Sequence, residues 1–136
     1  MCFAALEFAV QVLGVGHIIV LGHARCGGIR AFAEHGPPLT PADSIHKWMS
    51  MIAPAADLAG APDGRDDYLT RLEQASITKS LENLLTFPYV AEAVGRGALQ
   101  LHGAYFDVAT GQVFVRAADG YREIGAEPEA RAALAR

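Results

Sequence analysis

The sequence predicts one α/β domain with a mostly parallel central sheet flanked by helices and a C-terminal hairpin. Three observations carry this expectation. A helical pattern at 3–13 leads directly into a short apolar run at 17–21, and helix followed by strand is half of an α/β unit. That run (HIIVL) does not alternate, which suits a strand covered on both faces, as in parallel sheets. Near the C-terminus, two alternating segments flank Thr110-Gly111, the pattern of a hairpin.

The elements follow in order. Phe3, Leu6, Val10 and Leu13 share one face of the first helix, and Gly14 and Gly16 stop it. Strand 17–21 ends in a turn, Gly22 to Gly28, and a helix begins near 29–34. His35-Gly36-Pro37-Pro38 breaks it. Residues 41–60 read as helical around Trp48, with Ile45, Met49 and Ile52 on one face. After a turn at Ala61 to Gly64, a longer helix spans about 66–86, its apolar face formed by Leu69, Leu72, Ile77, Leu81 and Leu84. Pro88 ends it or opens a new turn. Tyr89 to Val94 make a short helix closed by Gly95 and Gly97. Residues 98–107 and 112–116 are the hairpin strands, and the tail 127–136 reads as a terminal helix.

The totals narrow the function classes. A chain of 136 residues with 51% hydrophobic and 19% charged residues builds a single domain, 1–136, rather than a disordered tract. A net charge of −4 and a pI near 5.7 argue against a general nucleic-acid binder. The apolar stretch 9–22 contains Gln11 and His17 and falls short of the ~20 apolar residues a membrane span needs. No basic region precedes it, so a cytoplasmic protein without membrane contact is expected. Two cysteines, Cys2 and Cys26, are too few for a disulfide scaffold. Cys2 reads best as a small buried hydrophobe.

Chemistry concentrates at His23-Ala24-Arg25-Cys26-Gly27-Gly28, directly after the apolar strand. Ligand sites in open α/β sheets lie beyond the carboxyl ends of strands. Imidazole and thiolate three residues apart on a tight turn can reach one centre, and they form a zinc-type pair. The glycines allow close backbone approach to a ligand and bring Cys26 near a helix N-terminus, which favours its thiolate. Alone, H-x-x-C is more often structural than metal-binding; the strand before it and the helix after it raise the metal reading.

The run AALEFAVQVLGVGHIIVLGHARCGGIRAF is similar to the helix, central strand and H-x-x-C-G-G segment of β-class carbonic anhydrases. Ser80 to Leu84 with Phe87-Pro88, and Leu99 to Asp107 with Gly111, also resemble that family. The resemblance implies a partial β-carbonic-anhydrase-like fold and zinc-dependent reversible hydration of carbon dioxide to bicarbonate. It implies His23 and Cys26 as two of three protein ligands to Zn2+, with Gly27 and Gly28 beside the substrate. It also implies a homo-oligomer.

The family's first zinc cysteine and its Asp-Arg pair belong to a C-x-D-x-R motif that this sequence does not contain. Relative to the family the chain therefore reads as N-terminally truncated, with no catalytic Asp-Arg pair identifiable. Cys2 has the right chemistry to replace the missing ligand, but it stands elsewhere in the fold. The missing part also supplies strands to the sheet, so strand 17–21 is expected at an open edge, dependent on partners. Three functions stand open: a carbonic anhydrase with a third ligand from Cys2 or another chain, an inactive truncated relative acting as an assembly partner, and, more weakly, a cysteine-nucleophile enzyme.

Other polar residues read as structural. His102 is a strand residue with a hydrogen bond, and His17 is a surface or capping residue. His35 and His46 lack ligand spacing. Trp48 reads as core, Asp66-Asp67 as helix-start acids, and Arg25 as solvated.

Overall fold

A computed structural model describes residues 2–35, 50–62 and 67–124. The expectations for Ile45, His46, Trp48, Met49, Asp66 and the tail 127–136, and for the side chains of Cys2 and His35, lie outside the described residues.

The first helix begins as expected, α1 Cys2–Glu7, and then widens into a π-helical turn, Phe8–Val12. The Leu13 amide bonds to the Phe8 carbonyl at 3.0 Å, five residues back. The wider turn changes which residues share a face. Val10 is buried with Val90, Ala93 and Leu99, and Leu6 packs against them. Leu13 is turned outward at 64% exposure, against the expectation from a regular repeat. Phe3 is equally exposed but stacks on Phe87 at 5.5 Å.

Strand β1, His17–His23, runs two residues further than the apolar run and is followed by α2, Gly27–His35. Residues 50–52 form a 3-10 turn into α3, Ala53–Ala59, the described part of the helix expected at 41–60. The long helix α4, Tyr68–Leu85, buries Leu72, Ile77 and Leu81. Pro88 opens α5, Pro88–Gly95, where its lacking N–H is harmless. Gly97, at φ +73°, then turns the chain, as the sequence expects.

Strands β2 (Gln100–Asp107), β3 (Gln112–Ala117) and β4 (Gly120–Glu123) complete a sheet of order β1-β2-β3-β4. The hairpin falls where expected, with Gly111 at φ +74°. The expectation of a mostly parallel sheet needs correction. Only β1 and β2 pair in parallel; β2–β3 and β3–β4 are antiparallel. Each antiparallel connection is too short for a crossover, which needs a dozen or more residues. The short strand β4 went unrecognised because Gly-Tyr-Arg-Glu carries little apolar signal.

The layers explain the burial. In β1 and β2, Ile18, Val20 and Gly22 lie beside Leu101, Gly103 and Tyr105, facing α4. The helix comes so close that a Cβ on Gly22 would sit 2.7 Å from Ile77 Cδ1, and one on Gly103 2.9 Å from Ile77 Cγ2. The opposite face carries Ile19 and Leu21, 64% and 63% exposed. The expectation of a strand covered on both faces is thus corrected. Among the described residues, helices pack on one face of β1, and β1 stands at the sheet edge. No helix of the described residues is long and apolar enough to cross a membrane.

Overpacking a tight contact strains neighbours by about 1–3 kcal/mol. Gly103→Ala, which also brings Cβ to 3.2 Å from Arg116 Cβ, is expected to lower unfolding stability by about that amount in urea titration, with the fold retained.

Candidate metal centre

The turn between β1 and α2 is fixed from three sides. The Ala24 amide donates to the Phe106 carbonyl at 2.8 Å, carrying the β1–β2 pairing one residue beyond His23. Arg25 takes the left-handed conformation, φ +57°, which is uncommon for a residue with a Cβ. The Cys26 amide donates to Glu73 Oε1 at 2.9 Å. The Cys26 carbonyl then accepts from the Arg30 amide at 3.0 Å and starts α2.

His23 and Cys26 line one cleft of about 300 Å³, with Ile29, Ser76, Lys79 and Asn83 on its other walls. The two residues of the sequence motif thus border the same cavity. His23 Nδ1 lies 3.0 Å from the Ala24 carbonyl oxygen. A carbonyl only accepts, so Nδ1 carries the proton, and in the neutral ring Nε2 keeps the free lone pair. That is the arrangement of a metal-ligating imidazole oriented by its other nitrogen. Cys26 is an unpaired, half-buried thiol. Gly27 and Gly28 form the first turn of α2, and a methyl on Gly27 would meet nothing within 4 Å. Arg25 borders a separate hollow with Tyr105 and Asp107.

Sequence reasoning missed Glu73. It is only 4% exposed, and both carboxylate oxygens are used: Oε1 accepts from Cys26 and Oε2 from the Tyr105 hydroxyl at 2.6 Å. A buried polar group needs such partners. Burial, reinforced by the Glu73 hydrogen bond, pushes the Tyr105 hydroxyl well above its ordinary range. A signal was present in the sequence. Leu69, Glu73, Ile77 and Leu81 follow a four-residue repeat, so an acid stands where α4 repeats an apolar residue.

The donor types suit zinc, whose sites take imidazole nitrogen and cysteine sulfur. Their number does not complete a site. Among the described residues no group of three or more His, Cys, Asp or Glu could hold a metal ion.

These features define a class: an α/β domain with a histidine–cysteine turn beyond the carboxyl end of a parallel strand. A sequence profile described as carbonic anhydrase matches residues 1–113. The chain belongs to that family, and its relatives place it in the β class. It is 39% identical over 107 residues to β carbonic anhydrase 5, chloroplastic, of Arabidopsis thaliana, covering 76% of this chain and 36% of that protein. The β-carbonic anhydrase CcaA superposes with a TM-score of 0.73 at 23% identity, over 89% of this chain and 56% of the other. One of two tetrameric β-carbonic anhydrases from Sordaria macrospora gives 0.69 at 24% identity, over 91% and 59%. The chain thus spans little more than a third of that Arabidopsis relative's length.

Glu73→Ala leaves the Cys26 amide and the Tyr105 hydroxyl without their acceptor. It is expected to lower stability by at least about 1–3 kcal/mol and to speed iodoacetamide alkylation of Cys26, read by mass spectrometry. The raised Tyr105 group sets a pH prediction. Below about pH 10 the phenol is neutral folded and unfolded; above it the unfolded chain loses the proton first, so stability falls as pH rises. Unfolding free energies measured across this alkaline range are expected to fall less steeply in Tyr105→Phe.

Proposed function

We propose that this chain carries the histidine–cysteine half of a zinc centre for reversible hydration of carbon dioxide to bicarbonate. The remaining protein donor comes from Cys2 or from another chain. The observation that carries this reading is the joint placement of His23 and Cys26 on one cleft at the end of β1. Membership of the carbonic anhydrase family supplies the reaction class. When bound, zinc supplies the Lewis acidity that makes water a nucleophile near neutral pH.

The chain's own residues position the donors. Ala24 holds the His23 ring through Nδ1 and leaves Nε2 free. Glu73 holds the backbone of Cys26, and Tyr105 holds Glu73. Ile29, Ile52 and Ala55 make part of the cleft wall apolar, which suits an uncharged substrate and restricts water.

A second reading is favoured by the donor count among the described residues: a catalytically inactive domain acting as an assembly partner. Both readings share assembly into a homo-oligomer. The edge position of β1, with Ile19 and Leu21 exposed, supports it, as does the tetrameric description of the Sordaria enzymes. Light scattering at micromolar concentration is expected to give more than the monomer mass; a single monomer peak refutes this.

The test of activity is stopped-flow carbon dioxide hydration after zinc loading and removal of free metal. Hydration that disappears in Cys26→Ala supports the first reading, with Cys2→Ser as the next variant. No hydration supports the second.

A further inference from the structure

Far from the His23–Cys26 turn, His17 and His102 bring two ring nitrogens together. His17 Nδ1 and His102 Nε2 are 3.0 Å apart, and the ring centroids 5.2 Å. His17 opens β1, whereas His23 closes it six residues later, about 20 Å along the strand. His102 sits on β2, paired with Ile19. Both rings therefore belong to the sheet face turned away from α4, and His17 is exposed to solvent.

We propose that His17 and His102 form a binding site for a divalent late first-row metal ion, distinct from the His23–Cys26 centre. Imidazole nitrogens bind such ions at about 2.0–2.1 Å. Two nitrogens at that distance from one ion and 3.0 Å from each other subtend an angle of about 90°. This is a cis pair of a tetragonal Cu(II) or Ni(II) ion. A tetrahedral zinc would need its nitrogens about 3.4 Å apart.

Parallel pairing of β1 and β2 fixes both backbones, so little ordering remains to be done on binding. Without metal, one ring donates its N–H to the other. With metal, that proton moves to the other nitrogen of the same ring, and a neutral pair releases none. No third His, Cys, Asp or Glu joins the pair among the described residues, so the pair is a two-donor site. The site stands independently of the carbon dioxide reading.

The test uses the full chain as His23→Gln/Cys26→Ser, which removes the other donor pair, titrated with Cu(II) or Ni(II) alone. Calorimetry is expected to give one equivalent bound, and the Cu(II) electron paramagnetic resonance spectrum to carry hyperfine structure from two imidazole nitrogens. Two donors on a fixed frame act as a chelate, so His17→Gln in this background is expected to weaken binding about 10²-fold, and His102→Gln likewise. His17 is exposed, so its substitution leaves the fold intact, which circular dichroism checks. Absence of saturable binding, or binding unchanged by His17→Gln, overturns the proposal.

Discussion

The approach of α4 to the sheet sets the rest of the structure. Ile77 presses between β1 and β2, where Gly22 and Gly103 leave room for it. Any side chain at either position would hold the helix off. With Ile77 seated there, one helical turn back brings Glu73 beneath the Cys26 loop and beside Tyr105. A packing contact between apolar atoms thus decides where the one buried carboxylate among the described residues can reach. The geometry of the His23–Cys26 turn follows from that, since its cysteine is held through its backbone amide.

Glu73 also explains how a short turn keeps an unusual shape. Arg25 sits in a left-handed conformation that is costly for a side chain bearing a Cβ. On either side of it, Ala24 is tied to β2 and Cys26 to α4. Strain at one residue persists because its neighbours are fixed. The arrangement leaves the cysteine thiol and His23 Nε2 free of protein hydrogen bonds among the described residues.

Among the described residues, helices cover one face of the sheet and leave the other bare. Its inner face is covered through the clusters around Val90 and Ile77, while the Leu72 cluster joins α2, α3 and α4 behind them. On its outer face Ile19 and Leu21 are exposed, an apolar surface next to β1, the edge strand among the described residues. Such a surface favours association over a lone chain in water.

Much of this was legible in the sequence, for local reasons. The 3.6-residue repeat of Leu72, Ile77 and Leu81 marks α4, the apolar run marks β1, Thr110-Gly111 marks the hairpin, and His23 with Cys26 marks the site. These depend on neighbours in the chain. Strand direction, the outward turn of Leu13, the bareness of Ile19 and Leu21, the meeting of His17 with His102 and the role of Glu73 do not. Each depends on residues distant in sequence: 85 positions separate the two histidines, and 47 separate Cys26 from Glu73. Local pattern and residue chemistry were enough for the family resemblance, for α4 and for β1. How the His23–Cys26 turn is held, and which face of the sheet the described helices cover, came from packing that brings distant groups together across the fold.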